Sequence, residues 1–352
     1  LAVAVTLSLL GAEGMLRLWL DEVNFLQPEL EAHPVLRHVI VPGSADHDRW
    51  GFRNATVPEG AEVVAIGDSQ TYGLSAPAHQ AWPAWLERLS GRSVYNLSLG
   101  GYGPPDYQYL LDEYGLALAP EVAIVGFYFG NDLPRAGDVA EGKHEPSPAL
   151  AEKEDPRLLG ELRTWLSRHS VLYQAVKYEA TGLANQLRYR EAIGLDDGSV
   201  ALPESRTALI PDLRFGAMDT SVSTNRRGLD ATLATFVEVD ATCRRRLIRC
   251  LFLLIPTKES VYALRARDET SAAEYARIAR AVAAEEEVRR EMTGFLTERG
   301  VEVVDPLPAL RRAAEDDVLY PANADGHPLA AGYRVIAEVL LERLVPPRTA
   351  GQ

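Results

Sequence analysis

The sequence predicts an α/β fold, a parallel sheet covered by helices on both faces, and three observations carry that reading. Five short apolar runs recur along the chain, at 63–66, 93–97, 122–129, 247–255 and 301–304. Segments with helical spacing separate them. The runs are too continuously apolar for strands with one wet face, as expected when both faces of a parallel sheet are covered. Strands alternating with helices through right-handed crossovers give parallel order. No internal repeat is present.

Each element has its own signal. Val63-Val64-Ala65-Ile66 is stopped by Gly67, and Gly67-Asp68-Ser69 forces a sharp turn at the strand's carboxyl end. Gln80 to Leu89 reads as a helix, with Trp82, Trp85, Leu86 and Leu89 on one side and Gly91 as its stop. The second strand leads into a glycine-rich turn, Gly100-Gly101-Tyr102-Gly103, and a helix from Asp106 to Leu118. The third strand ends at Gly130-Asn131-Asp132.

The alternation then breaks. Residues 136–157 read as loop, Leu158 to Leu187 as helical, and Arg190 to Arg227 as polar and turn-rich. This insertion, 133–229, leaves a strand's carboxyl end and is a candidate cap over that edge, with an unrelated surface excursion as the alternative. A helix from Ala231 to Arg246 restores the pattern before the fourth strand, which Pro256 cuts. Ser271-Ala272-Ala273-Glu274 is a capping-box pattern opening a long helix that Gly300 closes. A short helix is expected at 308–314 and the last helix at 329–344.

Size and charge bound the function. The 352 residues suit one large domain with insertions or two domains, and 47% hydrophobic with 24% charged residues is ordinary globular composition. A net charge of −14 argues against a nucleic-acid surface and disfavours adhesion to anionic lipid. Cys243 and Cys250, the two cysteines, flank an Arg-rich turn and read as unpaired thiols. Leu1 to Ala12 carries no charge, so 1–20 is read as a membrane anchor or signal remnant, which implies an extracytoplasmic protein. A lead-in at 21–60, rich in proline and holding Trp50 and Phe52, precedes the main domain at 61–345.

The candidate chemistry lies where strand ends converge. In a parallel sheet the carboxyl edge collects Ser69, the Gly100-Gly101 turn and Asn131, and the turn before the last helix adds Asp325-Gly326-His327. Acyl transfer needs these types. Ser69 is a nucleophile, His327 the base that takes its proton, and Asp325 the carboxylate that orients the imidazole. An oxyanion needs preorganised donors: the N–H groups of Ser69 and Gly101 and the amide of Asn131. Lys258 and Glu259 follow the fourth strand at the same edge and are candidate substrate contacts, a solvated loop being the bland alternative. Asp68 reads as a turn residue, Asp132 as a cap, His79 as surface, and Trp82 and Trp85 as core. A histidine base predicts activity that rises through neutral pH.

These blocks resemble the SGNH/GDSL hydrolase superfamily. Gly67-Asp68-Ser69 is similar to its first block, Asn96-Leu97-Ser98-Leu99-Gly100-Gly101 to its second, Gly130-Asn131-Asp132 to its third and Asp325-Gly326-His327 to its fifth. One residue separates acid from base where the family often has two. The resemblance implies a flavodoxin-like three-layer sandwich and serine ester hydrolysis through an acyl-enzyme, with no metal or cofactor. The expected substrate is a small ester or an acylated glycan of the cell envelope. An O-acyltransferase using the same residues and a non-catalytic glycan-binding module are the alternatives.

Overall fold

The computed structural model describes residues 2–143, 158–177 and 198–344. The chain divides into two compact units, one built from residues 1–57 and 145–188, the other from 58–144 and 189–352. The candidate site residues all belong to the second.

In that unit five parallel strands form one sheet: β1 (Val63–Gly67), β2 (Val94–Ser98), β3 (Val122–Tyr128), β4 (Arg249–Ile255) and β5 (Glu302–Val304). Their spatial order is β2-β1-β3-β4-β5. This is the doubly wound arrangement, with its switch point between β1 and β3. Register pairs Gly67 with Ser98 and Tyr128 with Ile255, so the carboxyl ends lie along one edge. All seven residues of β3 are buried. Alternate residues of β4 serve opposite faces. Leu251, Leu253 and Ile255 join a core with Trp82, Leu86, Tyr333 and Ile336. Phe252 turns the other way, with its ring 4.3 Å from that of Phe236.

Several expected elements take a different form. The segment expected as loop from 136 begins as a helix, Asp132–Ala140. Its Gly137 is a packing glycine, because a Cβ there would lie 2.1 Å from the Thr224 carbonyl oxygen. Gly228 on the facing helix is equally tight, with Leu133 O at 2.0 Å from an added Cβ. These glycines let two helices touch backbone to backbone; they do not mark a loop. The stretch 190–227 holds, among its described residues, a hairpin (Val200–Leu202 with Thr207–Leu209), a helix (Pro211–Met218) and the start of the helix Ser223–Arg245. The helix expected at 106–118 runs Pro104–Leu110 and then loosens into a π turn and a 3-10 turn. Residues 144–157 and 178–197 of the insertion lie outside the described residues. Cys243 and Cys250 are buried and free. The Ser271 capping box is present.

In the first unit, helix Ala2–Trp19 carries both of its charges in local contacts. Glu13 accepts the N–H groups of Val171 and Leu172 at 2.9 Å each, and Arg17 pairs with Glu13 at 2.7 Å. Leu7, Leu10, Met15, Leu18 and Trp19 of this helix are exposed. No helix of the described residues is long and apolar enough to cross a membrane. Leu30–His33 and Arg37–Ile40 form a hairpin in the lead-in.

Candidate active site

The turn after β1 fixes Ser69. Asp68 caps the short helix Ser69–Tyr72 by accepting the Gln70 N–H at 2.9 Å. Ser69 thus stands in a first helical turn, whose N–H groups have no intrahelical acceptor. Gly67 is required by close approach, since a Cβ there would sit 2.2 Å from Thr71 Oγ1. Asn96 of β2 donates to the Thr71 carbonyl at 3.0 Å, so the second strand holds the nucleophile's helix from its far end.

Of the residues singled out from the sequence, three meet in a line. His327 Nε2 lies 2.8 Å from Ser69 Oγ, and His327 Nδ1 lies 2.6 Å from Asp325 Oδ1. A carboxylate facing Nδ1 keeps the proton there, which leaves the Nε2 lone pair toward the hydroxyl. Ser69 Oγ is also 3.4 Å from Asp68 Oδ2. The hydroxyl has a single proton, and the 2.8 Å contact is the stronger claim on it. Asp68 is buried, and burial pushes its carboxyl up to about 6 against the pull of the Gln70 N–H and the His327 charge. Asp132 is also raised, by burial and then by the charge of Asp68. Its Oδ2 accepts the Tyr128 N–H at 2.9 Å, so it closes the turn after β3. The cap expected at Asp132 is therefore a turn bond made backward, to the strand it follows.

Two of the expected oxyanion donors, Gly101 and Asn131, lie on the turns that follow β2 and β3. Gly101 has φ +86, a conformation that favours glycine. A Cβ added to Gly100 would lie 3.9 Å from Ser69 Cβ, so this turn passes over the nucleophile. Asn131 is exposed at the N-cap position of helix Asp132–Ala140. The two turns are tied together: Asp106 accepts the Gly103 N–H at 2.9 Å and pairs with Arg135 of that helix.

Asp325 is held from several sides. Oδ1 takes the His327 N–H at 3.1 Å as well as the ring, and Oδ2 takes the Ser75 hydroxyl at 2.5 Å. Burial pushes this carboxyl up, but the His327 hydrogen bond and charge and the Ser75 hydroxyl outweigh it and hold it well below the usual range. Gln70 Nε2 donates to the Gly326 carbonyl at 3.2 Å. Glycine at 326 lets acid and base stand one residue apart in a crowded place: a Cβ there would be 2.6 Å from Tyr128 Oη.

Lys258 and Glu259 are not where a substrate contact was expected. Each is 1% exposed. Lys258 Nζ donates to the carbonyls of Pro321, Asn323 and Asp325 at 2.9, 2.7 and 3.2 Å, which uses all three ammonium hydrogens. Lys258 clamps the loop that carries Asp325, and Glu259 accepts the Ile210 N–H of a different segment at 2.8 Å. His79 is on the surface and Trp82 in the core, as read from the sequence.

Sequence reasoning missed Ser75, Gln70 and Arg214. Ser75 sits at φ +65, strained for a residue with a side chain, directly after the nucleophile's helix. We expect Ser75→Ala to lower kcat for ester hydrolysis about tenfold with KM nearly unchanged, the scale of one charge-assisted hydrogen bond. Ser75→Gly relieves the backbone and loses the same bond. Steady-state kinetics on both variants check this: equal losses assign the effect to the hydroxyl, and a normal glycine variant assigns it to the backbone.

No family model and no curated protein matches the chain. Among solved structures it is similar to a catalytic mutant of an acetylxylan esterase from Geobacillus stearothermophilus, at 13% identity and TM-score 0.43 over 84% of this chain and 99% of that one. It is also similar to an extracellular lipase from Streptomyces rimosus, at 13% identity and TM-score 0.43, covering 80% of this chain and 99% of that one. A third is a member of the lipolytic protein G-D-S-L family from Veillonella parvula, at 13% identity and TM-score 0.38, covering 80% and 96%. Likeness at these scores does not say what this chain does. The three are an acetylxylan esterase, a lipase and a lipolytic protein of the G-D-S-L family.

Proposed function

We propose that the chain is a serine carboxylic ester hydrolase of the SGNH/GDSL type, acting through an acyl-enzyme. The single observation that carries this reading is the hydrogen-bonded line from Ser69 Oγ through His327 to Asp325, with contacts of 2.8 and 2.6 Å. Ser69 Oγ attacks the ester carbonyl as His327 Nε2 takes its proton. The tetrahedral oxyanion is received by N–H groups of Ser69 and Gly101 and by the Asn131 amide. Each such donor is typically worth about 3–4 kcal/mol of barrier. His327 returns the proton to the leaving alcohol, then draws one from water, which attacks the acyl-enzyme carbonyl and releases the acid. Asp325 stays ionised throughout.

The reading favours small acyl groups, on an extracytoplasmic substrate, with the protein held at a membrane surface. Helix Ala2–Trp19 supports the location, because Val3, Leu7, Leu10, Leu18 and Trp19 are exposed on it and Glu13 and Arg17 are paired within their own unit.

A serine-directed phosphonate is expected to label Ser69 at one equivalent and to stop turnover of acetyl and butyryl p-nitrophenyl esters. Mass spectrometry locates the adduct, and labelling elsewhere, or turnover that survives complete labelling, rejects the proposal.

A further inference from the structure

Lys258 and Glu259 stand side by side at the start of helix Lys258–Glu269, and each holds a different segment. Lys258 gathers the loop that carries Asp325. Glu259 Oε1 accepts the Ile210 N–H at 2.8 Å, and Oε2 faces Arg214 Nε at 3.7 Å. Arg214 then reaches two of the turns that build the site. Nη1 donates to the Gly130 carbonyl at 3.1 Å, one residue before Asn131. Nη2 lies 2.7 Å from where a Cβ on Gly326 would be, between Asp325 and His327. The guanidinium carbon sits 5.6 Å from the centre of the Tyr128 ring.

We infer that Arg214 is a positioning residue, whose guanidinium holds the Gly130-Asn131 turn by a hydrogen bond and packs closely against Gly326 in the Asp325-Gly326-His327 loop. The inference rests on the ester-hydrolase reading above. It gives the segment between β3 and β4 a part in the site's assembly, and it explains why an arginine is needed there. A planar fork can serve two turns at once; an ammonium is a single point. The helix that bears Arg214, Pro211–Met218, is itself fixed. Asp212 pairs with Arg277 at 2.5 Å, Arg280 stacks at 3.5 Å over the Phe215 ring, and Asn225 donates to the carbonyls of Gly216 and Asp219 at 2.7 and 3.0 Å. A rigid helix can hold a fork in place, and a misplacement of about 1 Å between reacting groups costs roughly 100-fold in rate.

The consequence is a loss in kcat without a loss in binding. Arg214→Met is expected to lower kcat on p-nitrophenyl acetate by roughly 100-fold with KM within about twofold. Arg214→Lys keeps the charge and the fold and recovers part of the rate. Because Arg214 acts through Asn131 and His327, combining Arg214→Met with Asn131→Ala costs less than the product of the single losses. Thermal unfolding is followed in parallel, so that a rate loss is scored on folded protein. An unchanged kcat, a rise in KM alone, or losses that simply multiply overturns the inference. The two proposals fail separately. If the native chain hydrolyses the ester and Ser69→Ala does not, the hydrolase reading stands whatever Arg214 does. If the native chain is inert, that reading falls first and takes this one with it.

Discussion

Ser69→Ala is expected to cut ester turnover by about 10⁴–10⁶-fold, the scale seen when a nucleophile is removed from a serine site. The change deletes the atom that forms the new bond to carbon, so no neighbour compensates. Asp68, though only 3.4 Å away, cannot take over. Its carboxyl is buried beneath the turn and already committed to the Gln70 N–H. The fold is expected to survive, because Ser69 is small and its loss leaves Asp68 with that backbone bond. What remains after the substitution measures the oxyanion turns and substrate binding alone, typically about 10³-fold over water. The assay is steady-state hydrolysis of a short acyl ester, with circular dichroism to show that the variant is folded. Turnover at the native rate would remove Ser69 from the chemistry and, with it, the reading of the whole edge.

The strands and the turns that end them were legible because local chemistry dictates both. Val63 to Gly67 and Val122 to Tyr128 are apolar without interruption, and burial on both faces admits little else. Gly67 and Gly326 stand where side chains approach closely and Gly101 where the backbone turns to positive φ, and the positions of the first two beside Ser69 and His327 could be read directly. The insertion was illegible for the opposite reason. Gly137 and Gly228 look like loop residues in sequence, and their role appears only when two helices cross. Pro211 was a usable signal, since proline at the first helical position often opens a helix, but the polar residues around it masked the periodicity. Lys258 and Glu259 were correctly noticed and wrongly directed. Two adjacent charges after a strand suggest a solvent-facing pair, and only tertiary structure turns them inward onto carbonyls and an N–H. Ser75 carries no local mark at all, because its partner Asp325 lies at the far end of the chain.

Asp325→Asn tests the other end of the same line, and a fall in kcat of about 10⁴-fold is expected, since an amide no longer fixes the productive tautomer of the base. With Asn, the group facing Nδ1 either donates a proton, which forces the ring proton onto Nε2 and blocks attack, or accepts as a neutral carbonyl that stabilises the imidazolium poorly. The native carboxylate avoids both outcomes because three hydrogen-bond donors from two segments meet there, the ring and backbone N–H of His327 and the Ser75 hydroxyl, while Lys258 fixes the backbone carbonyl of the same residue. The same partners hold Asp325 below the ordinary carboxylate range despite burial. The sign of the pH effect follows. A carboxyl whose folded value is depressed contributes stability above its unfolded value and loses it as pH falls through the folded one. Asp325 therefore remains charged across the mildly acidic range, so an acid limb of the native rate profile does not come from this carboxyl. In Asp325→Asn that stabilisation is gone, so the variant is expected to lose less stability than the native chain on strong acidification, while its residual activity rises with alkali as hydroxide takes the Ser69 proton that the mis-set imidazole cannot. Rate profiles from about pH 4 to 10 and unfolding midpoints from about pH 5 down to about pH 2, where the depressed carboxyl is protonated on unfolding, decide it on both proteins: parallel stability curves in that acid window, or a variant that keeps the native kcat, would show that Asp325 is a bystander.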